Sequence, residues 1–96
     1  MSQVRILARS EALDGKAEEL KEVLLQLIEP TRKEKGCIQY EFYAANQPGV
    51  FYFSEIWASA EDLKAHSSTP GFLEIVGKAQ KLVKSPMEVS VLTQVA

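Results

Sequence analysis

From Val4 to Ser10 the chain alternates, with Val4, Ile6 and Ala8 on one face and Arg5, Leu7 and Arg9 on the other. A period of two is that of a half-buried strand. Glu11-Ala-Leu-Asp-Gly15 reads as a turn, and from Lys16 the period lengthens, with Ala17, Leu20, Leu24, Leu27, Ile28 and Thr31 at helical spacing. Pro30 lacks the N–H that a helix interior requires, so it should kink this helix or tighten its final turn. Gly36 suits the C-terminal stop. Cys37 to Ala44 is a second strand, Asn46-Gln-Pro-Gly49 a hairpin turn, and Val50 to Ala58 a third strand rich in aromatic and β-branched residues.

Ser59 can cap a short helix that carries His66 in its last turn. Thr69-Pro70 opens another, with Phe72, Ile75, Val76, Ala79, Leu82 and Val83 as its apolar stripe and Ser85-Pro86 as its end. Met87 to Val95 alternates again and reads as the last strand. The order β-α-β-β-α-α-β predicts an α+β fold of the split βαβ, ferredoxin-like kind. Its four-stranded antiparallel sheet would carry the helices on one face.

That arrangement leaves a sheet face bare. The third strand is apolar on both sides, Phe51, Phe53 and Trp57 on one and Val50, Tyr52 and Ile56 on the other, and Leu92 adds to the uncovered side. A second copy of the chain is the simplest cover, so the pattern predicts a homodimer.

Candidate chemistry lies on the third strand and the helix after it. Phe51, Phe53, Glu55 and Trp57 share a face, which puts a carboxylate among aromatic rings on a surface that should be buried. Such a carboxylate needs a partner or takes a raised pKa. Arg5, Arg9 and Arg32 are the cations that could pair with it. His66, the single histidine, stands eleven residues further on and suits proton transfer near neutral pH. Trp57 reads either as core or as the wall of a pocket, and His66 either as a helix-end residue or as a general base.

Composition narrows the possibilities. Ninety-six residues make a single domain, residues 1–96, and a net charge of −2 argues against a nucleic-acid partner. No apolar run approaches a membrane span, and the first residues lack the apolar core of a signal peptide. One cysteine, Cys37, excludes an internal disulfide, and one Cys with one His makes no standard zinc site. Cys37 beside Gly36 reads as a small buried apolar side chain, and a cytoplasmic location is expected.

The order Glu55-Ile-Trp57, Ser59, Leu63-Lys-Ala-His66, then Thr69-Pro70 opening a helix, resembles the antibiotic biosynthesis monooxygenase (ABM) family, in particular its quinol monooxygenases. Glu34-Lys-Gly36-Cys37-Ile-Gln-Tyr40-Glu41 resembles that family's helix-to-strand junction, and Ala8-Arg9 with Gly15-Lys16 its first strand and turn. The resemblance implies a dimeric α/β barrel and a pocket between helices and sheet. His66 and Glu55 would be catalytic there, and Trp57, Phe53, Phe51 and Tyr40 would bind substrate. Tyr43 and Tyr52 are further possible hydroxyl donors. It also implies a monooxygenase that uses no metal, haem or flavin, acting with O2 on a quinol-like aromatic.

Gly71 stands where many relatives carry a second histidine. The haem-degrading branch fits worse: the helix after Pro70 has no His, and Val4 to Ser10 has no Asn. A non-oxidative alternative stays open, either an isomerase of small carbonyl compounds or a dimeric ligand-binding protein without turnover.

Overall fold

The strand periods and caps produce, over residues 2–96 described by this computed structural model, β1 (Val4–Glu11), α1 (Ala17–Leu25), α2 (Ile28–Arg32), β2 (Cys37–Ala44), β3 (Val50–Trp57), α3 (Ala60–His66), α4 (Pro70–Gln80) and β4 (Glu88–Leu92). The strands form one antiparallel sheet in the order β2-β3-β1-β4. This is the ferredoxin-like α+β arrangement expected, with both central strands contributing to the core.

The two expected N-caps both form. Ser59 Oγ accepts the Asp62 N–H at 3.1 Å, and Thr69 Oγ1 accepts the Phe72 N–H at 3.2 Å with Pro70 at the first helical position. The long helix expected from Lys16 is instead two helices, broken at Gln26 and Leu27. Pro30 supplies the reason. It has no N–H for the Gln26 carbonyl, so the break ahead of it places Pro30 in the first turn of α2, where no donor is missed. The Leu27 N–H turns back to the Leu24 carbonyl at 3.0 Å.

Three boundaries move. The expected turn at Glu11 begins later, because Glu11 still pairs with Val50 and Ala12 bridges to Val83. That bridge, with the Leu13 N–H donating to the Leu82 carbonyl at 2.7 Å, stops α4 at Gln80. Leu82 and Val83 therefore lie beyond the helix. The last strand ends at Leu92, which pairs with Arg5 close to the start of β1, so Thr93 to Val95 are not part of it.

The inner sheet face holds Ile6, Ala8, Phe51, Phe53, Glu55 and Trp57, all buried, beneath Leu20, Leu24 and Leu27. Ile38 has no strand partner: Cys37 pairs with Trp57 and Gln39 with Ile56. This bulge sets Tyr40 opposite Glu55 on the inner face. The outer face carries Leu7, Tyr43, Tyr52, Ile56 and Leu92; the helices lie on the other side of the sheet, and Tyr43 is 54% and Leu92 43% exposed.

Candidate active site

Glu55 is buried on the central strand β3, and its Oε1 accepts the Trp57 indole N–H at 2.9 Å. Residues two apart on a strand lie side by side, so this bond follows from the Glu-x-Trp spacing. Burial pushes the Glu55 carboxyl above its ordinary value, and the Trp57 bond and the nearby His66 offset part of that rise. The arginine partners considered from sequence are elsewhere. Arg32 donates to the Tyr40 carbonyl at 3.0 Å and to Glu41 at 2.9 Å, and Arg9 pairs with Glu11 and Glu88. Arg5 lines a surface hollow with Gln3, Ile56, Leu92 and Gln94.

His66 is buried at the end of α3, 3% exposed, with its ring packed on Trp57, Phe72 and Tyr40 at centroid distances of 4.7, 4.5 and 5.7 Å. It is therefore no solvent-facing helix-end residue. Its Nδ1 lies 2.9 Å from Glu34 Oε1. A carboxylate accepts, so Nδ1 donates, and in the neutral ring this leaves the Nε2 lone pair free. In the sequence Glu34 stands out only as part of the helix-to-strand junction. The two residues are 32 positions apart, and no local pattern announces the contact. Gly36 helps to make it. At φ +83° it turns the chain from α2 into β2, and the Asp62 side chain from α3 fills the space a Cβ would need.

Tyr40, Phe53, Glu55, His66 and Ser67 meet Ile6, Leu63, Phe72 and Met87 around a cavity of about 70 Å³. Burial, and after it the charge of Glu55, raises the Tyr40 phenol well beyond its usual range, so it stays a hydroxyl donor. Four of the six expected site residues thus converge: His66, Glu55, Phe53 and Tyr40. Two do not line the cavity. Phe51 stacks on Phe42 at 5.6 Å, one pair further along β3, and Trp57 lies fully buried behind His66. Trp57 holds Glu55 through its indole N–H and does not line the cavity. Tyr43 and Tyr52 sit on the outer face, away from the cavity. Cys37 is half-buried, and burial raises its thiol, consistent with a packing role.

The sequence pattern of a family described as Antibiotic biosynthesis monooxygenase matches residues 3–78. A Mycobacterium tuberculosis protein named "Putative monooxygenase Rv0793" is 30% identical over 95% of this chain and 90% of its own length. Its solved structure superposes with a TM-score of 0.91, covering 99% of this chain and 97% of that one at 28% identity. An uncharacterised Synechocystis protein is 38% identical over 79% of this chain, but the match spans only 52% of that relative's length.

Proposed function

The chain belongs to the antibiotic biosynthesis monooxygenase family, and from that membership we propose that it is a cofactor-independent monooxygenase that oxidises a quinol-like aromatic with O2. One observation carries the reading: a mostly apolar cavity in which a tautomer-fixed His66 meets Glu55 and Tyr40. Among the described residues no Arg or Lys lines this cavity, which favours an uncharged ring over a phosphorylated carbonyl compound.

Chemically, His66 takes the phenolic proton at Nε2 while Glu34 holds the imidazolium that forms. The phenolate passes one electron to O2, and the resulting phenoxyl and superoxide radicals join at a ring carbon to give a peroxide. Protonated by the imidazolium, the peroxide loses water as its carbon gives up hydrogen, leaving a carbonyl. The sum is quinol plus O2 to hydroxyquinone plus water, so the substrate supplies every electron and no external reductant is needed. Tyr40 is the hydroxyl donor for the developing oxyanion. The apolar walls keep bulk water from the radical pair.

A second copy of the chain would complete the fold by covering Leu7, Tyr52, Ile56 and Leu92 on the outer sheet face. The test is oxygen uptake with a panel of hydroquinones under 18O2. The expected result is one O2 consumed per quinol, one labelled atom in the product and no free hydrogen peroxide. Absence of uptake above the uncatalysed rate across the panel would sink the proposal.

A further inference from the structure

The cavity that holds His66 and Glu55 is small for the ring it would oxidise. A closed apolar cavity that takes up benzene measures roughly 150 Å³, and this one about 70 Å³. It does not end there. Phe72, Val76, Met87 and Val89 form its side toward β4, and the same four residues wall a neighbouring cavity of about 240 Å³. That second space runs between α4 and the β4 side of the sheet, lined further by Ala79, Gln80, Val83 and Pro86. Gln80 is its one polar side chain. The helices leave this edge open: Val89 is 62% exposed although it shares a sheet face with the buried Ala8.

The two spaces differ in chemistry. Every titratable group lies in the first, and the second offers almost nothing to a hydroxyl or a charge. A ring seated with one oxygen at His66 outgrows the first space, and the apolar space that shares Phe72, Val76, Met87 and Val89 with it has room for what the ring carries on its far side.

We propose that the second cavity is a subsite for an apolar substituent, and that the substrate is a quinol carrying an alkyl chain of several carbons on its ring. The inference rests on the quinol reading of His66 and Glu55 and adds the chemistry of the tail. Burying each methylene is worth about 0.8 kcal/mol, roughly a fourfold gain in affinity per carbon. The gain should continue for several carbons and stop when the space is full.

Two measurements separate this subsite from the oxidation itself. In the first, redox-inert 4-alkylphenols from methyl to heptyl are titrated against the whole protein, with the fluorescence of Trp57 as the signal. The expected result is saturable binding at one site per chain, displaced by hydroquinone, tightening about fourfold per carbon. Val83→Phe fills the distal space without touching the His66 cavity, and should flatten that dependence while methylphenol binding stays unchanged. In the second, oxygen uptake is followed with the matching alkylhydroquinones, and KM should fall along the series while kcat holds. A flat affinity series in the unmodified protein overturns the subsite, even if hydroquinone itself is oxidised. A rising series without oxygen uptake supports the subsite and removes the monooxygenase reading instead. A rising series that Val83→Phe leaves intact in a folded protein places the tails elsewhere and also overturns it.

Discussion

His66 donates its Nδ1 proton to Glu34 Oε1 at 2.9 Å, tying the last turn of α3 to the segment between α2 and β2. Glu34 also lines an open hollow with Lys35, Glu61, Asp62 and Thr69, so it reaches solvent on the side of the ring away from Phe53 and Tyr40. It is a positioning residue: it selects which imidazole nitrogen stays free.

Glu34→Ala should therefore change the tautomer of His66 before it changes anything else. Long-range 15N spectra are unambiguous here because the chain has one histidine. The expected outcome is a shift from the Nδ1–H form toward a mixture, with stability lower by about 1–3 kcal/mol from the unpaired buried donor. Turnover should fall, by less than the roughly hundred- to ten-thousandfold expected on losing the imidazole. Glu34→Gln retains an acceptor oxygen and should restore the tautomer. An unchanged tautomer in Glu34→Ala would remove the positioning role.

Glu55 should make the protein less stable as pH rises. Its folded pKa lies above the unfolded value, so its contribution is fully present below the ordinary carboxylate range. That contribution is lost as pH climbs through the raised folded value. Glu55→Gln keeps an acceptor for the Trp57 N–H and removes the buried charge. Melting temperatures between pH 4 and 8 should fall less steeply for this variant than for the parent, and oxygen uptake should drop at every pH. Parallel melting curves would show that Glu55 titrates normally.

Trp57→Phe should act on stability first and on substrate binding second. Trp57 is fully buried and does not line the cavity, so the substitution leaves a void and strips Glu55 of its one side-chain donor among the described residues. A loss of about 1–3 kcal/mol is expected. Because the lost bond had been lowering the Glu55 pKa, the pH dependence of stability should move upward as well. A raised KM with unaltered stability would return Trp57 to the substrate wall.

Sedimentation should give twice the 10.7 kDa chain mass at micromolar concentration. Ile56→Arg, placed on the outer face beside Arg5, should yield monomers with an intact near-ultraviolet spectrum. A compact monomer of the parent chain would mean that the outer face tolerates water.

The sheet was legible because the third strand declares its faces: Phe51, Phe53, Glu55 and Trp57 point inward as the two-residue period requires. Ser59 and Thr69-Pro70 were legible because a cap is a local event. Boundaries set by distant partners were not. The alternation from Met87 continues to Val95, yet β4 stops where β1 ceases to pair with it. The helix stripe continues to Val83, yet the bridge to Ala12 ends α4 first. The same distinction divides the site. Glu55 and Trp57 could be paired by spacing, whereas Glu34 and His66 meet through tertiary packing alone. Strict alternation from Cys37 would have turned Gln39 inward, and only the unpaired Ile38 sets Tyr40 beside Glu55.

That extra residue has a mechanical meaning. The β2–β3 hairpin fixes β2 from one end, by pairing Ala44 with Phe51 and counting back to Tyr40. Gly36 against Asp62, and Glu34 against His66, fix it from the other. These two anchorages are incommensurate with a whole number of paired residues, and Ile38 is the slack that reconciles them. Deleting it would shorten the chain between the anchors by about 3.3 Å. Either Glu34 would be drawn off His66 or Tyr40 off Glu55, so the imidazole and the phenol could no longer be seated together.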